Sequence, residues 1–196
     1  PRHNLGPGSR LLAIIAEDSR RVGVERLWGL LPGWAKDRNV GFKTFNARSE
    51  TVDRLASFRA AFARRRCLIP ADGFYEWQRV GKSKQPYYFS LEREEPLALA
   101  GLWESWRDPR HDETLLTCTV LTTAANRDMA GLHDRMPLIL PRETWETWLD
   151  AGRQDRDSLD HLLRPPVEGV LRHWPVSDRV NKTSHEGADL IVPLAG

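Results

Sequence analysis

The chain has 196 residues, 40% of them apolar and 29% charged, which suits one domain with a full core and excludes a disordered polymer. A net charge of +2 is too small to imply nucleic acid by itself, although a pI near 8.8 leaves room for a local basic patch. The two cysteines, Cys67 and Cys118, lie in apolar strand-like runs without C-x-x-C spacing. They predict small core residues, no metal site and a reducing, cytosolic compartment. No apolar run approaches a membrane span.

The first ten residues are turn-rich and locally basic, hence a loop carrying Asn4 and Pro7. Leu11 to Ile15 and Val24 to Leu31 read as buried strands, the second ending at Pro32-Gly33-Trp34. Lys36, Arg38 and Lys43 set positive charge around Trp34. That indole is either a lid on the core or a stacking platform for single-stranded nucleic acid. A helix should then carry Val52, Leu55, Phe58 and Phe62 on one face, capped by Ser49 or Thr51. Asn46 and Arg48 precede any cap, and strand alternation points both to one side. Arg64-Arg65-Arg66 ends the helix, where cations suit the dipole as well as they would suit DNA.

Cys67 to Pro70 is a short buried strand, after which Asp72-Gly73 allows a turn. Glu76 follows among Phe74, Tyr75 and Trp77, a setting that raises a carboxyl pKa by desolvation and suits it to acid–base work. The plain alternative is a glutamate on the wet face of a strand. Residues 80–84 form a hairpin loop, and Pro86 to Leu91, Leu97 to Trp106 and Leu115 to Leu121 continue the sheet. Thr122 and Thr123 leave the last of these strands. His133 sits between acid and base in Leu132-His133-Asp134-Arg135-Met136-Pro137, where neighbours can tune an imidazole across neutrality. Pro141 opens a helix closed by Gly152, with Trp145, Trp148 and Leu149 as its buried stripe. A second short helix over Ser158 to Leu163, a strand over Gly169 to Val176 and an extended piece over Ala188 to Leu194 complete the chain. Strands dominate, so the fold class is α+β: a bent or barrel-like, mainly antiparallel sheet with a few peripheral helices.

Taken in order, several stretches resemble the SRAP domain, the SOS response-associated peptidase family. They are Arg2-His3-Asn4 to Pro7-Gly8, Trp28 to Trp34, Phe45-Asn46-Ala47-Arg48-Ser49-Glu50-Thr51, Ala71 to Trp77, Leu132 to Pro137, Trp174-Pro175-Val176-Ser177 and Gly187 to Ile191. The resemblance spans essentially the whole chain, 1–196, and implies that fold as a single domain. It also implies a protein that binds abasic sites in single-stranded DNA and bonds covalently to them. The family's nucleophile is a cysteine exposed by autocatalytic removal of the initiator methionine. Its α-amine condenses with the ring-opened aldehyde, and its thiol closes a thiazolidine.

By matching position, Glu76 resembles the family's acid–base glutamate, His133 the histidine that exchanges a proton with the sugar oxygen, and Asn46 the asparagine that orients amino terminus and sugar. Arg48, Arg135, Thr122 and the loop from Asn4 to Pro7 match positions that grip phosphates or line the pocket, and Trp34 matches an aromatic wedge. The family's Met-Cys-Gly-Arg-Phe start is not in this sequence, so the nucleophile is expected ahead of Pro1. Neither Cys67 nor Cys118 is expected to replace it. A monomer, working without cofactor or membrane in the cytoplasm (at the nucleoid in a bacterium), is the expectation. A cysteine-type peptidase acting in trans and a noncatalytic single-strand-binding module are the competing readings.

Overall fold

The computed structural model describes residues 2–93 and 95–194. β1 (Arg10–Glu17), an apolar run whose residues alternate between buried and exposed, and β2 (Arg20–Trp28) are joined by a tight turn with Asp18 and Ser19 at φ 48° and 59°. β3 (Asn46–Arg48), β4 (Arg66–Ala71), β7 (Leu97–Arg107), β8 (Thr114–Ala124) and β9 (Arg135–Pro137) join them in a seven-stranded sheet. Its order runs β2-β1-β4-β7-β8, and β2 returns to β8 through Leu27↔Thr117 and Trp28↔Cys118, closing a five-stranded barrel. The closing pair is parallel, as is β3 on β8, in a sheet that is otherwise antiparallel. Among the described residues no helix is long and apolar enough to cross a membrane.

Alternation also sorts the two cores. Leu11, Ala13, Ile15, Cys67, Ile69, Leu99, Cys118 and Val120 fill the barrel. Gly101 is required there, because a Cβ would come within 2.8 Å of the Cys67 Sγ. The opposite faces, with Leu68, Ala98, Ala100, Leu102 and Leu121, are covered by Phe58, Phe62, Trp148 and Leu162. These last residues belong to α1 (Arg59–Arg64), α2 (Trp145–Leu149) and the turns around them. A smaller sheet has the order β10-β6-β5, from β5 (Phe74–Val80), β6 (Ser83–Leu91) and β10 (Leu171–Pro175). Gly73 carries the chain from barrel to small sheet by close approach, not by a special turn: a Cβ there would lie 2.3 Å from the Phe89 carbonyl oxygen.

Several expectations are corrected. The helix placed over Val52 to Phe62 is a run of turns that becomes α1 only at Arg59. The Ser49 N–H bonds the Thr122 carbonyl at 2.8 Å, which ties the end of β3 to β8, and the turns at Thr51, Arg54 and Phe58 follow before the helix begins. Leu55 consequently points to solvent, 47% exposed, and neither Ser49 nor Thr51 caps α1. Arg66 is no surface cation. Buried to 4% exposure, it donates to the carbonyls of Phe62, Ala63, Trp148 and Asp150, so one guanidinium closes the C-termini of both short helices. Burial lowers its pKa to about 10. α2 stops before Asp150, the segment from Ser158 holds only a 3₁₀ turn at Asp160–Leu162, and Ala188–Ile191 is a 3₁₀ turn rather than an extended piece.

Candidate functional site

β8 pairs with β7 only as far as Gly101↔Val120; beyond that the segment 138–140 comes between them, the Leu138 N–H bonding the Leu121 carbonyl and the Ala100 N–H the Leu138 carbonyl. β3 pairs with this last part of β8 through Asn46↔Val120, Ala47↔Leu121 and Arg48↔Thr122, and β9 meets it through Thr122↔Pro137 and Ala124↔Arg135. Paired residues share a face, so Asn46, Arg48, Thr122 and Arg135 all look the same way while Ala47 is buried beneath them. Asn46 and Arg48 are exposed. The Arg135 guanidinium is held more tightly: its Nη atoms donate to both carboxylate oxygens of Glu50 at 2.6 and 3.0 Å, and Nη2 also donates to the Thr122 carbonyl at 2.7 Å. Those hydrogen bonds keep the Glu50 carboxyl below its ordinary pKa, against the opposing effect of burial.

Strand alternation in β5 sends Phe74 into the barrel cluster and Tyr75 and Trp77 into a cluster with Tyr88, Val176 and Val180. Glu76 and Gln78 therefore share the face of Phe74. The Gln78 Nε2 donates to the Gly131 carbonyl at 3.4 Å, which joins this face to the turn that carries His133. Burial raises the Glu76 pKa. The nearby His133 and a hydrogen bond from the Trp77 N–H counter that effect in part, and Asp134 adds to it. The His133 Nδ1 lies 3.0 Å from both the N–H and the carbonyl oxygen of Arg135. Either neutral tautomer thus has a partner at Nδ1, and a proton can come and go at Nε2 without stranding a donor or acceptor.

The structure thus brings Glu76 to His133, and through the His133–Arg135 backbone to the face bearing Asn46, Arg48 and Thr122. Trp34 stands apart. The residue is 56% exposed, hence no lid on the core, and its indole N–H donates to the Ala56 carbonyl at 3.3 Å. Arg38 contributes little free charge beside it, being paired with Asp108 and Glu113 at 3.2 and 2.6 Å. Asn4 is buried, its Nδ2 donating to the carbonyls of Val180, Lys182 and His185, and it ties the amino-terminal segment to residues 180–185. Pro7 is exposed on the adjoining turn. The Tyr75 hydroxyl donates to the His3 carbonyl at 2.7 Å and so clamps the same segment from the far face of β5.

Both thiols are unsuited to attack. Cys67 and Cys118 are fully buried in the barrel, and burial pushes the Cys118 thiol up to about 12 and that of Cys67 well above its usual value. Among the described residues no group of three or more His, Cys, Asp or Glu could hold a metal ion. Glu50 is the residue of this face that residue-by-residue reading left without a role. Continuing the alternation of Asn46 and Arg48 by one step would have placed it beside them.

Comparison with known proteins gives a consistent result. A family model described as SOS response associated peptidase (SRAP) matches residues 1–183. The chain is similar to the abasic site processing protein YoqW of Bacillus subtilis, 42% identical over 193 residues that span 97% of this chain and 85% of that one. It is similar to the abasic site processing protein HMCES of Gallus gallus at 34% identity over 225 residues, with 99% of this chain and 66% of the relative covered. A crystal structure of a Bacteroides thetaiotaomicron protein superposes with a TM-score of 0.85 at 25% identity, covering 96% of this chain and 82% of that one.

Proposed function

The chain belongs to the SOS response associated peptidase family, and from that premise we propose that it captures abasic sites in single-stranded DNA as a covalent DNA–protein crosslink. The relatives named abasic site processing proteins support the choice of lesion. The observation that carries the chemistry is a desolvated carboxyl, Glu76, beside His133 at the edge of a face bearing Arg48 and Arg135.

The nucleophile in this reading is the family's amino-terminal cysteine in the full-length protein, since Cys67 and Cys118 are sealed in the barrel. His133 protonates the ring oxygen of the abasic sugar through Nε2 while the C1 hydroxyl gives its proton to water, which opens the ring to the aldehyde. The α-amine adds to that carbon, and protonated Glu76 delivers its proton to the departing hydroxyl, so water leaves and an iminium forms. The thiol then adds to the same carbon, its proton returning to the Glu76 carboxylate, and closes the thiazolidine; amine, thiol and aldehyde combine with loss of one water. Arg48 and Arg135 seat the flanking phosphates, which positions the strand without reading sequence. The same Glu76 serves as acid–base in removing the leading methionine, and the protein works in the cytoplasm as a monomer.

Full-length protein incubated with single-stranded DNA carrying an abasic site should give a band that survives heat and detergent. Full-length protein with its cysteine free and no such band would overturn the proposal.

A further inference from the structure

In the protein alone, the guanidinium of Arg135 is already occupied. Glu50 takes its two Nη atoms at 2.6 and 3.0 Å, the paired geometry with which arginine holds a phosphate. Thr122 takes a further Nη2 hydrogen through its carbonyl at 2.7 Å, and the Nε is buried with no hydrogen-bond partner among the described residues. The fork thus presents one outward edge, and a carboxylate sits on it. The two partners differ in freedom: the Arg135 side chain is 20% exposed and fixed across β8, whereas that of Glu50 is 47% exposed on the turn after β3. Glu50 can swing into water while Arg135 stays. Arg48 is exposed on the same face, in register with the Thr122 that braces Arg135.

We propose that Glu50 is a built-in stand-in for a DNA phosphate: its carboxylate holds the Arg135 fork in the free protein, and a phosphodiester of the bound strand displaces it. Arg48 makes the first contact and Arg135 becomes available only at the cost of that exchange. Weak passing contacts are thereby discouraged, and a strand that stays long enough to complete the exchange gains a second phosphate grip. The inference rests on the reading above that single-stranded DNA is the ligand, and it concerns affinity rather than the covalent step.

The test uses full-length protein and a fluorescent, undamaged single strand, so that crosslinking plays no part. Dissociation constants are measured by anisotropy across a salt series for wild type, Glu50→Gln, Arg135→Gln and the double variant. Glu50→Gln should bind about fivefold more tightly at moderate salt, the scale of an exchanged half-exposed ion pair. That gain should vanish in the Arg135→Gln background. Arg135→Gln alone should lower the slope of log affinity against log salt by about 0.7, one phosphate contact. Weaker or unchanged binding by Glu50→Gln, or a gain that persists without Arg135, would overturn the inference. Should Glu50→Gln fail to fold, the Arg135→Gln slope decides alone, and an unchanged slope overturns it. No wild-type binding to any single strand would remove the functional reading, and this inference with it.

Discussion

Replacing Glu76 by Gln separates chemistry from grip. The amide keeps the shape of the carboxyl and can still accept the Trp77 N–H, but it neither gives nor takes a proton. A positioned general acid contributes roughly two to four powers of ten in rate. The structure argues for the lower end, because His133 stands beside Glu76 and its Nε2 can carry part of the proton traffic. The expected loss is therefore about a hundredfold, or about 2.7 kcal/mol at about 1.36 kcal/mol per tenfold. Binding should change little, since β5 lies in the small sheet and makes none of the Arg48 or Arg135 contacts. The assay is single-turnover crosslinking at saturating full-length protein between mildly acid and alkaline pH, with the dissociation constant measured separately on undamaged DNA. Burial raises the Glu76 pKa, so the acid form persists above the ordinary carboxylate range, and the wild-type rate should fall as pH rises through the raised value. Glu76→Gln should lose that limb.

Stability gives an independent check on the same group. A raised carboxyl pKa means that the folded state holds the proton more tightly than the unfolded chain. The folded protein is then favoured most at acid pH, and that advantage is lost as pH rises through the folded-state value. Glu76→Gln should thus melt higher than wild type at neutral pH, with the difference shrinking on acidification. A variant that crosslinks at near wild-type rate, or loses affinity instead of rate, would refute the acid role.

His133→Ala should slow crosslinking by about a hundredfold while shifting the dissociation constant by less than about threefold, a division that single-turnover kinetics and anisotropy resolve. Arg48→Ala should do the reverse, weakening binding and lowering the salt slope by about 0.7 with the bound-state rate nearly intact. Cys67→Ala and Cys118→Ala should each leave crosslinking in place at a stability cost of about 1 kcal/mol, read from thermal melts. In the native protein neither thiol should react with a thiol-specific reagent until the barrel unfolds.

Much of the barrel was legible because β1, β7 and β8 carry apolar runs between turns, which the period-two pleat divides between the barrel core and the outer face. The shared face of Asn46 and Arg48 followed from the same rule. A barrel-like sheet was expected, but not the strands that close it, because the parallel meeting of Leu27 with Thr117 depends on long-range register that no local pattern encodes. The helix with Leu55 on its buried face failed for a related reason: the Ser49 N–H bonds the Thr122 carbonyl, a long-range contact, and the chain that follows folds as successive turns before α1 where side-chain spacing alone favoured a helix. Desolvation of Glu76 was expected from its aromatic neighbours, yet Tyr75 and Trp77 turn to the opposite face. The burial comes from how β5 lies against the turn carrying His133, a relation between two sheets.

That relation explains why rate and affinity should respond to different substitutions. Asn46, Arg48, Thr122 and Arg135 all sit on the last part of β8 and the strands paired with it, and their spacing is fixed by backbone pairing within one sheet. Glu76 belongs to the other sheet and reaches the site across the close passage at Gly73. A small shift between the sheets would alter the separation of Glu76 from His133 and leave the Arg48–Thr122–Arg135 face unchanged. A side chain at Gly73 should enforce such a shift, because its Cβ would meet the Phe89 backbone as well as the Tyr88 ring, and backbone cannot rotate away. The chemistry is therefore the part of this site most sensitive to packing far from the DNA, and the cationic face the part least so.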